Sequence, residues 1–350
     1  MGDRNSTNQT SATGSPGPLP GGSILHGGSL GRAREAFPDA PEPWLDLSTG
    51  INPLAYPLPE IPSAAWTRLP ERGDVLALET AAAAAYGASD ARLVAAAPGT
   101  QALLQLLPRM RPASRVAVLS PTYGEHAHVW REAGHAVEEV SDFAQLNGAD
   151  VAIVTNPNNP DGRIVAPGRL AELASRLGER GGLLIVDEAF ADTDEAHSIV
   201  PSIDERTRGL VVFRSFGKFY GLAGMRLGFA VAGLEMADGI RAALGPWAVS
   251  GPAIEIGRAA LADKAWRIAT RARLARESER LARLLRGAGF GLAGGTPLFL
   301  LAEADDAQAR YEALGKAGIL VRRFDNAPRR LRFGLPGSEA EWARLEAALR

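Results

Sequence analysis

The chain has 350 residues, 46% hydrophobic and 22% charged, which is the make-up of a soluble globular protein with room for two domains. Its 38 basic and 40 acidic residues nearly cancel, so charge gives no case for binding nucleic acid or an anionic membrane. With no cysteine, disulfides, thiolate metal sites and thiol catalysis are excluded, a reducing cytoplasm is the expected setting, and no apolar run approaches transmembrane length.

Residues 1–23 are rich in Ser, Thr, Asn, Gly and Pro and lack a signal-peptide apolar core, so a disordered tail is expected. His26-Gly27-Gly28 opens the ordered part, followed by a short helical pattern before Pro38. Trp44–Leu47 alternates like a short strand, and Gly50-Ile51-Asn52-Pro53 breaks it into a loop. Asp74 reads as the N-cap of a helix stopped at Gly87. After the apolar run Leu93–Ala97, the Gly99-Thr100-Gln101 turn feeds a helix start, whose free N–H groups and positive dipole end can seat a phosphate.

Short apolar runs then alternate with helical segments: Val116–Leu119, Val151–Val154, Leu183–Val186, Leu210–Phe213 and Gly228–Ala232. This pattern predicts an α/β fold with a largely parallel sheet covered on both faces. Ligands bind such sheets outside the carboxyl ends of the strands, where Tyr123, Asn156, Asp187, Ser215 and Lys218 all fall. Gly245–Pro252 reads as a linker, Arg258–Arg286 as one long helix, and Leu298–Ala302, Leu320–Arg323 and Leu331–Phe333 as a small sheet closed by the helix Ala340–Leu349. The domains expected are a tail (1–23), an N-terminal arm (24–70), a large cofactor-binding domain (71–245) and a smaller α+β domain (246–350).

Lys218 sits among glycines and small residues after a buried strand, where a lysine can be held, partly desolvated and presented to a carbonyl. An ordinary surface lysine in a turn is the alternative. If Lys218 forms an imine, Asp187 suits a protonated ring nitrogen, Asn156 a phenolate oxygen and Tyr123 a stacked ring. Ser215, Arg226 and the Gly99–Gln101 turn supply phosphate donors. That set fits pyridoxal phosphate. Taken singly, Asp187 reads as a cap, Asn156 as a turn residue and Arg226 as a surface ion pair; their shared position at successive strand ends is what ordinary structure does not explain. Glu125-His126-Ala127-His128 is no metal site on this reading, because residues i and i+2 of a helix face apart.

Thr-Asn-Pro-Asn-Asn-Pro (155–160), Val-Asp-Glu-Ala-Phe (186–190) and Arg-Ser-Phe-Gly-Lys-Phe-Tyr-Gly-Leu-Ala-Gly-Met-Arg-Leu-Gly (214–228) resemble the fold-type-I pyridoxal-phosphate enzymes, nearest the histidinol-phosphate aminotransferase branch. The resemblance implies an aspartate aminotransferase-like fold and a homodimer. It makes Lys218 the cofactor lysine, Asp187 the ring-nitrogen partner, Asn156 the phenolate partner and Arg332 a carboxylate ligand. His26-Gly27-Gly28, Asp46–Leu54 and Pro246–Ser250 are further similar to threonine-phosphate decarboxylases of cobalamin synthesis, as is Phe190, where the aminotransferases carry tyrosine. That implies decarboxylation of L-threonine O-3-phosphate, with Arg323, Arg332, His26, Asn52 and Asn156 as substrate residues. Two other readings stay open: transamination with the same groups, and a non-catalytic partner in aminopropanol attachment. The last is motivated by Leu69, which stands where aminotransferases place a phosphate-binding tyrosine, as Gly217 stands where serine is common.

Overall fold

The computed structural model describes residues 27–350; His26 and the tail 1–23 lie outside the described residues. Among the described residues, twelve strands form two sheets. In chain order they are β1 (Leu45–Leu47), β2 (Val94–Ala97), β3 (Arg115–Leu119), β4 (Ala136–Val140), β5 (Val151–Thr155) and β6 (Leu183–Asp187). They continue with β7 (Leu210–Ser215), β8 (Gly228–Ala232), β9 (Gly291–Thr296), β10 (Phe299–Glu303), β11 (Ile319–Arg323) and β12 (Arg330–Gly334).

The larger sheet runs β2-β8-β7-β6-β5-β3-β4. All its pairs are parallel except those of β8, which is antiparallel to β2 and β7. Strands β5, β6 and β7 are buried along their whole length, which is why they read as unbroken apolar runs and not as alternating ones. Two apolar clusters, one on each face, cover the sheet. The parallel register places Thr155 beside Asp187 and Asp187 beside Phe213, so the functional carboxyl ends of β5, β6 and β7 lie level.

The second sheet runs β1-β11-β12-β10-β9, antiparallel except for the β1–β11 pair. Strand β1 thus ties the N-terminal arm into a sheet otherwise built from residues 291–334. Strands β4 and β9 escaped the sequence reading. The first is a half-exposed edge strand, Ala-Val-Glu-Glu-Val, and the second is Gly-Leu-Ala-Gly-Gly-Thr, with Gly294 and Gly295 at positive φ.

Three local expectations are corrected. Asp74 is not the N-cap but the third residue of the helix Arg72–Tyr86; Glu71 is the N-cap, and Asp74 accepts from its backbone N–H to close a capping box. Gly87 does end that helix, in the left-handed conformation. The stretch 258–286 is not one helix but parts of two, Gly251–Ala262 and Lys264–Gly287, divided at Asp263, whose carboxylate accepts from Trp266 N at 2.9 Å. Gly251-Pro252 accordingly belongs to a first helical turn and not to a linker, with Ser250 as its cap.

Candidate active site

A cavity of about 520 Å³ opens where the carboxyl ends of the parallel strands meet β11 and β12. Its walls include Gly99, Thr100, Gln101, Tyr123, Asp187, Ser215, Lys218, Arg226, Arg323 and Arg332, which brings ten of the expected site residues together.

Lys218 projects from the four-residue helix Phe216–Phe219, which follows β7 directly. Burial lowers its pKa to about 8; the nearby Arg332 and Arg226 guanidiniums add to this, and Asp187 opposes it. Its Nζ lies 5.9 Å from the ring centre of Phe190, which meets Phe299 edge-on at 5.0 Å. Gly50 makes that apolar corner possible, since a Cβ there would lie 2.8 Å from Phe299 and 2.9 Å from Phe190.

Asp187 ends β6, 5% exposed, and accepts from Ala189 N at 3.1 Å. His126 donates from Nε2 to the other carboxylate oxygen at 3.0 Å. The sequence reading gave His126 no role. His126 is wholly buried against the carboxylate. Tyr123 stands edge-on to His126 at 5.9 Å, and its phenol is pushed up to about 12 by burial and by the carboxylates of Glu125 and Asp187.

At the other end, Gly99 adopts φ 86°, and a Cβ there would lie 2.8 Å from Arg226 Nη2. A Cβ on Gly228 would lie 2.6 Å from Thr100 N. Two glycines therefore let a guanidinium and a helix-start amide converge. Ser215 precedes the Lys218 helix without capping it through its side chain.

Two expected site residues are misplaced. Asn156 is fully buried behind the wall: its Nδ2 donates to Val165 O at 3.1 Å and His197 O at 3.3 Å, and its Oδ1 accepts from Val165 N at 2.8 Å. With both ends engaged in holding the loop, it does not face the cavity. Asn159, three residues on, does face it and accepts from Arg332. Asn52 is also buried outside the cavity, its amide committed to Phe219 O, Leu54 N and Arg273. His26 lies outside the described residues.

The anion-binding wall is clearer than expected. Arg322 and Arg332 sit directly opposite each other on β11 and β12, and both line the cavity. Like charges so paired repel. Arg332 is 6% exposed, donates to Ser48 O at 2.8 Å and to Asn159, and forms no ion pair among the described residues. Burial and then Arg322 bring its pKa down to about 9, against a small opposing pull from Asp46. Arg322 Nη1 is buried with no hydrogen-bond partner among the described residues. Arg323 lies at the rim, 3.5 Å from Asp325 and with its guanidinium over Tyr311.

These groups fit pyridoxal phosphate by their chemistry. Lys218 is a desolvated amine and Asp187 a buried carboxylate facing the cavity. Thr100, Gln101, Ser215 and Arg226 line the cavity together, and a Cβ on Gly99 would crowd the Arg226 guanidinium out of it. Fold and site define a pyridoxal-phosphate-dependent enzyme of the aspartate aminotransferase-like class. The sequence profile of the class I and II aminotransferases matches residues 63–349, and the chain belongs to that family. It is 47% identical over 329 residues to the threonine-phosphate decarboxylase of Pseudomonas aeruginosa, covering 93% of this chain and 97% of that one. It is 46% identical over 331 residues to the same-named protein of a Sinorhizobium species, with the same coverage of each. Among solved structures, the histidinol-phosphate aminotransferase of Sinorhizobium meliloti in complex with pyridoxal 5'-phosphate superposes with a TM-score of 0.77. It is 21% identical, and the match covers 93% of this chain and 94% of that one, a likeness of fold. The resemblance read from the motifs is borne out. No described helix is long and apolar enough to cross a membrane.

Proposed function

We propose that the chain decarboxylates L-threonine O-3-phosphate, giving (R)-1-amino-2-propanol O-2-phosphate and CO₂. The observation that carries this reading is the cross-strand pair Arg322 and Arg332, two cavity-facing arginines that form no ion pair among the described residues, with only the more distant pull of Asp325 and Asp46. Such a pair asks for a doubly charged anion. It suits a substrate phosphate, which keeps its charge throughout, better than a carboxylate, which leaves as neutral CO₂ with its electron pair left at Cα. The likeness to two threonine-phosphate decarboxylases along nearly the whole chain supports the same assignment.

Bound pyridoxal phosphate supplies an electron sink for the pair left at Cα. The protein's part is to hold and orient. Lys218 anchors the cofactor, and its Nζ, with a pKa brought to about 8 mainly by burial, can carry a proton to Cα after CO₂ leaves. Asp187, braced by His126, would hold the negative charge that a protonated ring nitrogen needs. Tyr123 offers a ring face, Thr100, Gln101, Ser215 and Arg226 hold the cofactor phosphate, and Asn159 replaces Asn156 as the asparagine available on that wall. Phe190, Phe299 and Gly50 make an apolar corner beside Lys218, where a carboxylate is poorly solvated and its loss as neutral CO₂ is favoured.

Purified protein given pyridoxal phosphate and threonine phosphate should release CO₂ and a phosphorylated amino alcohol in equal amounts, and Lys218→Ala should release none. Conversion of the cofactor to its amine form with no CO₂ would establish transamination in its place. The partner expected is a second copy: Trp66, Leu69 and Trp247, each more than half exposed, line one groove with Met225. Sedimentation at the mass of one chain would rule the dimer out.

A further inference from the structure

Asn52 makes contacts that a substrate ligand has no need of. Arm residues 52–56 run along the end of the Lys218 helix and donate to three consecutive carbonyls. Asn52 N reaches Lys218 O at 2.9 Å, Asn52 Nδ2 reaches Phe219 O at 2.8 Å, and Tyr56 N reaches Tyr220 O at 2.9 Å. The last carbonyls of so short a helix are not all satisfied within it: Lys218 O also accepts from Gly221 N at 3.3 Å, and the arm adds donors to it and to the two carbonyls that follow. The amide of Asn52 has one workable orientation. Its Oδ1 accepts from Arg273 Nη2 at 2.6 Å and Leu54 N at 3.1 Å, and flipping it would set donor against donor at Arg273.

Arg273 is itself held, since its Nη1 donates to Glu277 Oε2 at 2.6 Å on the helix Lys264–Gly287. The same helix stacks Trp266 on Tyr220 at 5.6 Å and sets it edge-on to Phe219 and Tyr56. Close packing leaves the arm no slack: a Cβ on Gly221 would lie 2.7 Å from both Ala55 Cα and Asn52 O. The arm is thus clamped between the lysine segment and a helix more than two hundred residues distant in sequence.

We propose that Asn52, locked by Arg273, is a positioning residue that fixes the backbone of Lys218 and so the place of its Nζ. A backbone shift at Lys218 passes directly to the amine, and an error of about 1 Å at a reacting group costs up to about a hundredfold in rate. The proposal rests on Lys218 as the cofactor lysine. The test uses holoenzyme of the full chain with Asn52→Asp and Arg273→Met. Asn52→Asp keeps an oxygen toward Arg273 and Leu54 but cannot donate to Phe219 O. Arg273→Met keeps Asn52's bonds to Phe219 O, Leu54 N and Lys218 O and removes the lock.

Three quantities are read: the pH titration of the bound cofactor's visible absorbance, kcat, and KM for threonine phosphate. Asn52→Asp should displace the titration midpoint and lower kcat roughly tenfold to a hundredfold, with KM within about twofold of wild type. Arg273→Met should move both in the same direction by less. A wild-type titration and wild-type kcat in both variants would overturn the proposal. A rise in KM alone would also overturn it and return Asn52 to the substrate. If Asn52→Asp does not fold, Arg273→Met decides alone, and an unchanged titration and kcat then count against the clamp. The titration needs no substrate, so a displaced midpoint without CO₂ release would leave the positioning role standing and remove only the decarboxylase reading.

Discussion

Arg214 and Arg332 are both buried arginines, and their surroundings are opposite. Arg214, one residue before Ser215 on β7, is fully buried and puts Nη1 3.0 Å from Glu188 and Nη2 2.7 Å from Asp192. Ser198 Oγ and Ile199 N complete Glu188 at 2.6 and 2.7 Å, and the Tyr86 ring covers the guanidinium at 4.2 Å. Burial alone would drag its pKa down, but Asp192 and Glu188 outweigh it and the net direction is up. Among the described residues Arg332 has only neutral oxygens to donate to and another arginine across the strand, and its pKa falls. A buried arginine whose charge is answered by carboxylates braces the fold. One whose charge is unanswered, and which faces a cavity, is built for an anion from outside.

The largest effect should come from breaking the braced arginine. Arg214→Leu leaves Glu188 and Asp192 buried without a cation, a situation that costs about 3–5 kcal/mol. Urea unfolding should register that loss, and a change under about 1 kcal/mol would mean the cluster is not the brace described. Arg332→Leu should behave in reverse. No carboxylate is orphaned, and relief of the Arg322 repulsion offsets the bonds lost to Ser48 and Asn159, so unfolding should stay within about 1 kcal/mol of wild type. Its kcat/KM for threonine phosphate should fall about a hundredfold, roughly 2.7 kcal/mol of lost binding to a charged group. A protein that loses stability but keeps its activity would make Arg332 a second brace.

The same contrast explains what could be seen in the chain beforehand. Strands β5, β6 and β7 were legible because burial on both faces leaves long apolar runs, and their ends then located Asp187, Ser215 and Lys218. Strands β4 and β9 carry no such runs. Asn156 and Asn159 both precede a proline three residues apart, and nothing in their spacing says which turns to the cavity. The answer lies in the loop, where Asn158 ties to Pro121 O and Asp161 and swings Asn159 outward. The role of His126, on the helix Glu125–Glu132, is hidden in the sequence because its partner lies 61 residues away at the end of β6. Asn52 was read as a substrate residue when its partners, Phe219 and Arg273, lie still further along the chain.

Arg322 and Arg323 show the same limit at its smallest scale. Adjacent strand residues point to opposite faces, so a choice between neighbours depends on a phase that Leu320-Val321-Arg322-Arg323 does not reveal. Pairing with β12 sets that phase: Arg322 sits opposite Arg332 with Nη1 unpartnered among the described residues, and Arg323, which also lines the cavity, leans to the rim, where Asp325 and Tyr311 receive it. Arg322→Gln should therefore lower kcat/KM about tenfold, close to 1.4 kcal/mol for one charge-assisted contact. Arg323→Gln should lower it less than about twofold, since a half-exposed ion pair contributes little. Arg322→Gln should also raise the stability of the cofactor-free protein by a few tenths of a kcal/mol, because the cross-strand repulsion disappears with it. Equal losses in the two variants would mean that the rim arginine shares the anion and that strand phase does not separate their roles.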